Sequence, residues 1–248
     1  MRLLQEFANI EKPKTVDFCR EAYKFLTDEC TEQKIDAPDD HKERANPTAI
    51  GTVTPIDLGL PSGTLWADRN VGAKSPTDFG AYFSWGNTAP NYPKNGNNDW
   101  GDSENAFDRS FTADEYQITE GAKWNKDLDL QHDAAYMNTD GVWKMPTKEQ
   151  FKELHDNCTV RRKTINGVNG LLFTSNINGN TLFFPAAGFG YSTSLDNRGS
   201  RGYYWSRSWY SSGYGYYLYF NSSYVYPQHS RSRYFGYSVR AVQDLPTK

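Results

Sequence analysis

Three cysteines, four histidines and a scatter of carboxylates are the residues of this 248-residue chain best equipped for covalent or metal chemistry. Their spacing gathers little of it. Cys19, Cys30 and Cys158 are odd in number and lack the paired spacing of a zinc site, so ordinary thiols are expected rather than a disulfide framework. His41, His132, His155 and His229 are dispersed, without the intervals of a ligand set. No nucleophile elbow, phosphate loop or zinc-protease motif occurs. Asp39 and Asp40 sit side by side in a polar, proline-flanked stretch, where solvated carboxylates are the expected reading. The run NGNNDWGDSEN, residues 95–105, carries the oxygen ligands and glycines a calcium loop needs but not EF-hand spacing, and reads as an irregular loop. No catalytic centre, metal or cofactor is expected.

Binding chemistry is a different matter. Residues 191–237 hold most of the tyrosines of the chain together with dense serine and arginine, and contain no Lys, Glu or Met. Tyrosine offers a large contact area with few rotatable bonds and a polar tip, and serine and glycine adapt locally, as in antibody paratopes. Arginine adds a planar fork that pairs with carboxylates or stacks on rings. Disordered polar tracts lack this density of large aromatics.

Period-two alternation divides the window. In YYWSRSW, Tyr204 and Ser206 fall opposite Tyr203, Trp205 and Arg207; in YYLYF, Tyr217 and Tyr219 oppose Tyr216, Leu218 and Phe220. Trp205, Leu218, Phe220 and Val239 are expected in the core. The polar connections supply the expected ligand-binding surface: Asn197, Arg198, Ser200, Arg201, Arg207, Ser211, Ser212, Tyr214, Ser223, Tyr224, Tyr226, His229, Ser230, Arg231, Ser232 and Arg233.

These positions need a scaffold. Residues 1–48 have a helical stripe (Val16, Cys19, Tyr23, Leu26) and then a polar linker with two prolines. They read as an appendage that either packs on the domain or serves attachment or oligomerisation. From residue 49 short apolar runs alternate with Gly and Pro, a strand-and-turn texture. Residues 87–130 read as a long, partly irregular insertion. MPTKEQFKELHDNC is the clearest helix, with Thr147 as N-cap, Gln150 completing a capping box, and Phe151 and Leu154 facing inward. A hairpin is expected with strands at 171–174 and 181–184. This order predicts an α+β fold. A net charge of −3 argues against nucleic acid. No apolar run reaches the length of a membrane span, and the N-terminus predicts no signal peptide.

The ordered set DLGLPSGTLWADRNVGA, GAYFSWGNT, MPTKEQFKELHDNC, FFPAAGFGY, GYYWSRS, YYLYF and SVRAV, over residues 50–243, resembles domains with the C-type lectin fold of the formylglycine-generating-enzyme-like branch. Within that branch the last segment is similar to variable proteins of diversity-generating retroelements, of the Bacteroidetes or Bacteroidetes-phage type. The resemblance implies short strands, few helices, long irregular insertions and a 49–248 ligand-binding domain varied over about 191–237. It implies that adenines of the template repeat are mutated, so that varied Asn codons yield Tyr, Ser and Arg but never Lys, Glu, Gln, Met or Trp. Gln228, Trp205 and Trp209 then belong to the fixed scaffold. It further implies a structural role for Arg240, no calcium-dependent sugar site, and a non-catalytic protein binding a protein or glycan receptor from a phage tail or a cell surface. The active-site cysteines of the enzyme that names the branch have no counterpart late in this chain. The alternative is a constant bacterial surface or adhesion domain.

Overall fold

The computed structural model describes residues 53–94, 104–112 and 126–244. The appendage expected over residues 1–48, with Cys19, Cys30 and His41, lies outside them, as does most of the 95–105 run. Within them the protein is a sheet-rich α+β fold with short strands and two short helices.

The first sheet joins the two ends of the described chain. β1 (Pro55–Asp57) pairs antiparallel with β2 (Leu65–Asn70), and β2 pairs with the last strand, β11 (Arg240–Gln243), placing Trp66 opposite Val242. A 3-10 turn at Leu130–His132 and helix α1 (Ala134–Met137) lead to helix α2 (Lys148–Asp156). The α2 capping box closes as the sequence predicts: the Thr147 hydroxyl accepts from the Gln150 amide at 3.1 Å, and Gln150 Oε1 accepts from the Thr147 amide at 2.9 Å. Phe151 and Leu154 are its buried residues.

The second sheet holds β3 (Cys158–Ile165), β4 (Val168–Ser175) and β5 (Thr181–Pro185) in sequence order. The expected hairpin is β4–β5, with Leu171 opposite Phe184 and Thr174 opposite Thr181. β3 is a strand the sequence reading leaves out. Its Arg161, Arg162 and Lys163 are exposed, because charge on an edge strand discourages pairing with other chains. Asn166–Gly167 turns β3 into β4 with φ of 49° and 80°, the two positive values that a type I′ turn requires. A small pair, β6 (Phe189–Tyr191) and β7 (Ser194–Asp196), precedes the third sheet. That sheet has the order β10 (Val225–Ser232), β9 (Tyr214–Phe220), β8 (Gly202–Ser211).

The core is aromatic. Trp66, Phe151, Leu154, Phe184, Tyr204, Leu218 and Phe220 form one cluster; Phe83, Trp85, Trp205, Tyr237 and Val239 belong to another. Trp205 stacks on Tyr237 at 4.3 Å, and Phe184 meets Tyr204 edge-on at 4.9 Å. Arg240 is fully buried among them. Its guanidinium donates to Asn70 Oδ1 at 2.8 and 3.0 Å and to the carbonyls of Ala67 and Asp68, and lies 4.6 Å over the Phe184 ring. Burial pushes its pKa down to about 10, which still leaves it charged at neutral pH. No helix among the described residues is long and apolar enough to cross a membrane.

Candidate functional site

The tyrosine-rich window forms the third sheet, and its register sets what is shown and what is hidden. Tyr203, Tyr219 and Tyr226 stand side by side across β8, β9 and β10; the next row is Trp205, Tyr217 and His229. A bulge between Tyr226 and His229 sets Pro227 and Gln228 against the single residue Leu218, one extra residue that re-aims the second half of β10.

Alternation holds in β8, but both of its faces are covered along the first half. Tyr203, Tyr204, Trp205 and Ser206 are all buried. Tyr204 and Leu218 pack towards α2, while Trp205 and Tyr217 pack against Phe83 and Tyr237. The polar tips are satisfied inside: Tyr204 donates to the Pro185 carbonyl, and Trp205 Nε1 donates to the Phe83 carbonyl at 2.9 Å. Burial raises the pKa of Tyr82 to about 12 and pushes those of Tyr204, Tyr217 and Tyr237 up as well.

Beyond this buried half the sheet emerges. Of the expected display residues, Ser200, Arg201, Ser212, Tyr214, Ser223, Tyr224, Tyr226, His229 and Arg231 are exposed. Asn197, Arg207, Ser211, Ser230 and Ser232 are half-buried. Asn197 has a positive φ of 59° and its carbonyl accepts from the Ser200 and Arg201 amides, so it shapes the turn before β8. Arg207 donates to the Leu128 carbonyl at 2.8 Å and accepts from the Leu128 amide, tying β8 to the segment before α1.

Two expectations are corrected. Arg198 and Arg233 are 5 % and 1 % exposed and cannot be display residues. Arg233 lies 4.4 Å over the Trp85 ring and donates to the Ser211 carbonyl at 3.1 Å, so it clamps the β8–β9 turn onto the core. Arg198 packs over Phe79 at 5.1 Å, beside Tyr82. The physical reason is common to both: a guanidinium caps an aromatic ring, and its N–H groups find partners inside, the Tyr82 hydroxyl for Arg198 and backbone carbonyls for Arg233, so it is accepted inside an aromatic core.

The face also includes residues that strand alternation alone does not reveal. Tyr210 and Tyr191 are each 47 % exposed. Tyr210 meets Tyr216 and Tyr214 edge-on at the hairpin end, and Tyr191 lies against Tyr234 and Phe235. Tyr219 runs near-parallel to Tyr226, at 17° and 6.1 Å, and Tyr226 near-parallel to Tyr224, at 26° and 5.8 Å. Every large apolar residue exposed in this window is a tyrosine.

Among the described residues no three of His, Cys, Asp and Glu come together as metal ligands. Cys158 is a buried thiol whose pKa is pushed up to about 11 by desolvation. A cleft near Ser84, Asn91, Arg109 and Phe111 has a volume of about 120 Å³. That is below the ~300 Å³ at which small-molecule pockets begin.

No curated protein and no solved structure matches the chain. Residues 147–242, from the α2 cap through β11, match the model of a family described as a domain of unknown function, DUF8237.

Proposed function

We propose that the protein is a non-catalytic receptor- or ligand-binding protein of the C-type lectin fold. Its tyrosine-, serine- and arginine-rich third sheet is the binding face, diversified by a retroelement. A phage or prophage receptor-binding protein, carried on the virion, is the setting that fits best, with residues 1–48 as the attachment or oligomerisation element.

The observation that supports this reading is the division of labour across the third sheet. Trp205, Leu218 and Phe220 have no solvent exposure, whereas Tyr214, Tyr226, His229 and Arg231 of the same sheet, and Tyr224 in the turn before β10, are exposed. Such a sheet tolerates replacement of its displayed residues, because surface substitutions remote from caps and strained positions typically move stability by under about 0.5 kcal/mol. Attachment of several copies would multiply weak contacts into avidity.

The test is to sequence the codons for residues 190–240 across a natural population carrying this gene. Changes concentrated at the exposed positions, with Trp205, Leu218 and Phe220 untouched and a near-copy of the segment beside a reverse-transcriptase gene, are expected. Uniformly sparse change would replace this reading with a constant surface or adhesion domain.

A further inference from the structure

A sheet edge exposes backbone donors and acceptors that another strand can complete, so proteins blunt their edges. Most edges among the described residues are blunted by shape. β1 and β11 have only three and four residues. β5 ends at Pro185, and β10 carries Pro227 and a bulge. β8 is bridged at Gly202 and Tyr204 by Gly188 and Ser238. β3 has none of these features. Its eight residues include no proline, and all of them pair with β4 in one unbroken register.

That register also fixes which backbone groups of β3 are free. The Asn176 amide donates to the Asn157 carbonyl at 3.0 Å, so the odd-numbered residues of β3 exchange bonds with β4. The even-numbered ones, Val160, Arg162 and Thr164 among them, aim their N–H and C=O groups outward. Thr164 and its opposite residue Asn169 bond through their side chains at 2.8 Å, as a non-hydrogen-bonded pair allows. Among the described residues no other element bridges this side.

What guards the edge is charge. Arg161, Arg162 and Lys163 are exposed, and none of them forms an ion pair among the described residues, in a chain of net charge −3. Alternation puts Arg161 and Lys163 on one face and Arg162 on the other, so both faces of the edge are cationic. A second copy laid antiparallel about Arg162 would set this run against itself, and like charges directly opposite destabilise a strand pair. An acidic strand meets opposite charge at the same three positions.

We infer that β3 is a docking edge for an extended acidic segment of another protein, which joins the three-stranded second sheet as a further strand. The free main-chain groups supply affinity, and the Arg161–Lys163 run selects partners with carboxylates at the facing positions. This edge belongs to the second sheet and does not depend on the function proposed for the third.

The experiment is fluorescence anisotropy of a labelled peptide, a central Glu-Asp-Glu flanked by alternating Val and Thr, titrated with the full chain. Binding that weakens as salt rises is expected. A peptide with lysines at the three acidic positions should not bind. N-methylation of alternate residues, made in both phases, should weaken binding by at least about tenfold in the phase that faces β3, because several main-chain bonds are lost. An R161E/R162E/K163E protein with a parent-like thermal melt should lose the acidic peptide and bind the lysine peptide. The inference is overturned if the acidic peptide does not bind, if neither phase of N-methylation weakens it, or if the charge-reversed protein binds it undiminished. A dimer of the parent that Thr164→Pro dissociates, seen by sedimentation, would assign the edge to a second copy and likewise overturn it.

Discussion

Replacing Arg240 with methionine keeps most of the volume of the side chain and removes its charge and donors. Four hydrogen bonds are lost, and Asn70 Oδ1 and the carbonyls of Ala67 and Asp68 lose a donor in or beside the core. A buried acceptor left without a donor costs about 1–3 kcal/mol, so the gross loss is roughly 3–9 kcal/mol. Against this, the variant no longer desolvates a guanidinium. The depression of the Arg240 pKa from 12.5 to about 10 puts that relief on the order of 3 kcal/mol. The net expectation is a destabilisation of about 3 kcal/mol, consistent with the 3–5 kcal/mol for breaking a buried charged network. Urea denaturation followed by circular dichroism would show this as a lower midpoint at unchanged slope. Pairing Arg240→Met with Asn70→Leu in a double-mutant cycle should reveal coupling above about 0.5 kcal/mol, because the two side chains share their bonds. An Arg240→Met protein within about 0.5 kcal/mol of the parent, or an additive cycle, would show that this arginine is not a structural pin.

Three further outcomes follow from the same packing. Gly215→Ala would bring a Cβ within 2.6 Å of the Trp85 ring, so a loss of about 1–3 kcal/mol is expected in the same denaturation assay. Tyr224→Ser and Tyr226→Ser should each shift stability by under about 0.5 kcal/mol. Trp205→Ala should cost about 3–5 kcal/mol; equal effects at these sites would erase the distinction between scaffold and display. Tyr82, Tyr204, Tyr217 and Tyr237 have raised pKa values in the folded protein, so the folded state retains protons that the unfolded chain has released above the ordinary phenol value of about 10. Stability should therefore fall as pH climbs beyond that value, with part of the phenolate absorbance appearing only on unfolding. A titration in which every tyrosine ionises while the protein stays folded would contradict the burial of these rings.

Local signals made parts of this architecture legible in the sequence. The Thr147–Gln150 box and the Phe151/Leu154 spacing mark α2, because a helix start is written in four or five adjacent residues. The β4–β5 hairpin and the burial of Trp205, Leu218, Phe220 and Val239 follow from period-two patterning. β3 escaped that reading because three successive cationic residues obscure an edge strand. Arg198 and Arg233 were expected at the surface because arginine is seldom fully buried, and their stacking partners Phe79 and Trp85 are more than a hundred residues away in sequence.

The pairing of β2 with β11 has a bearing on gene expression as well as on shape. The strand that completes the sheet begun at Leu65 is encoded after the whole tyrosine-rich window, and it brings with it Arg240, the hub of that sheet. A stop codon or frameshift anywhere in the window deletes both. Such a product leaves the edge of β2 unpaired and Asn70 without its guanidinium, and a chain in that state is a substrate for proteolysis. Successful folding is thus a readout of an intact reading frame through the window. Any chain with a native fold has been translated past the whole tyrosine-rich window.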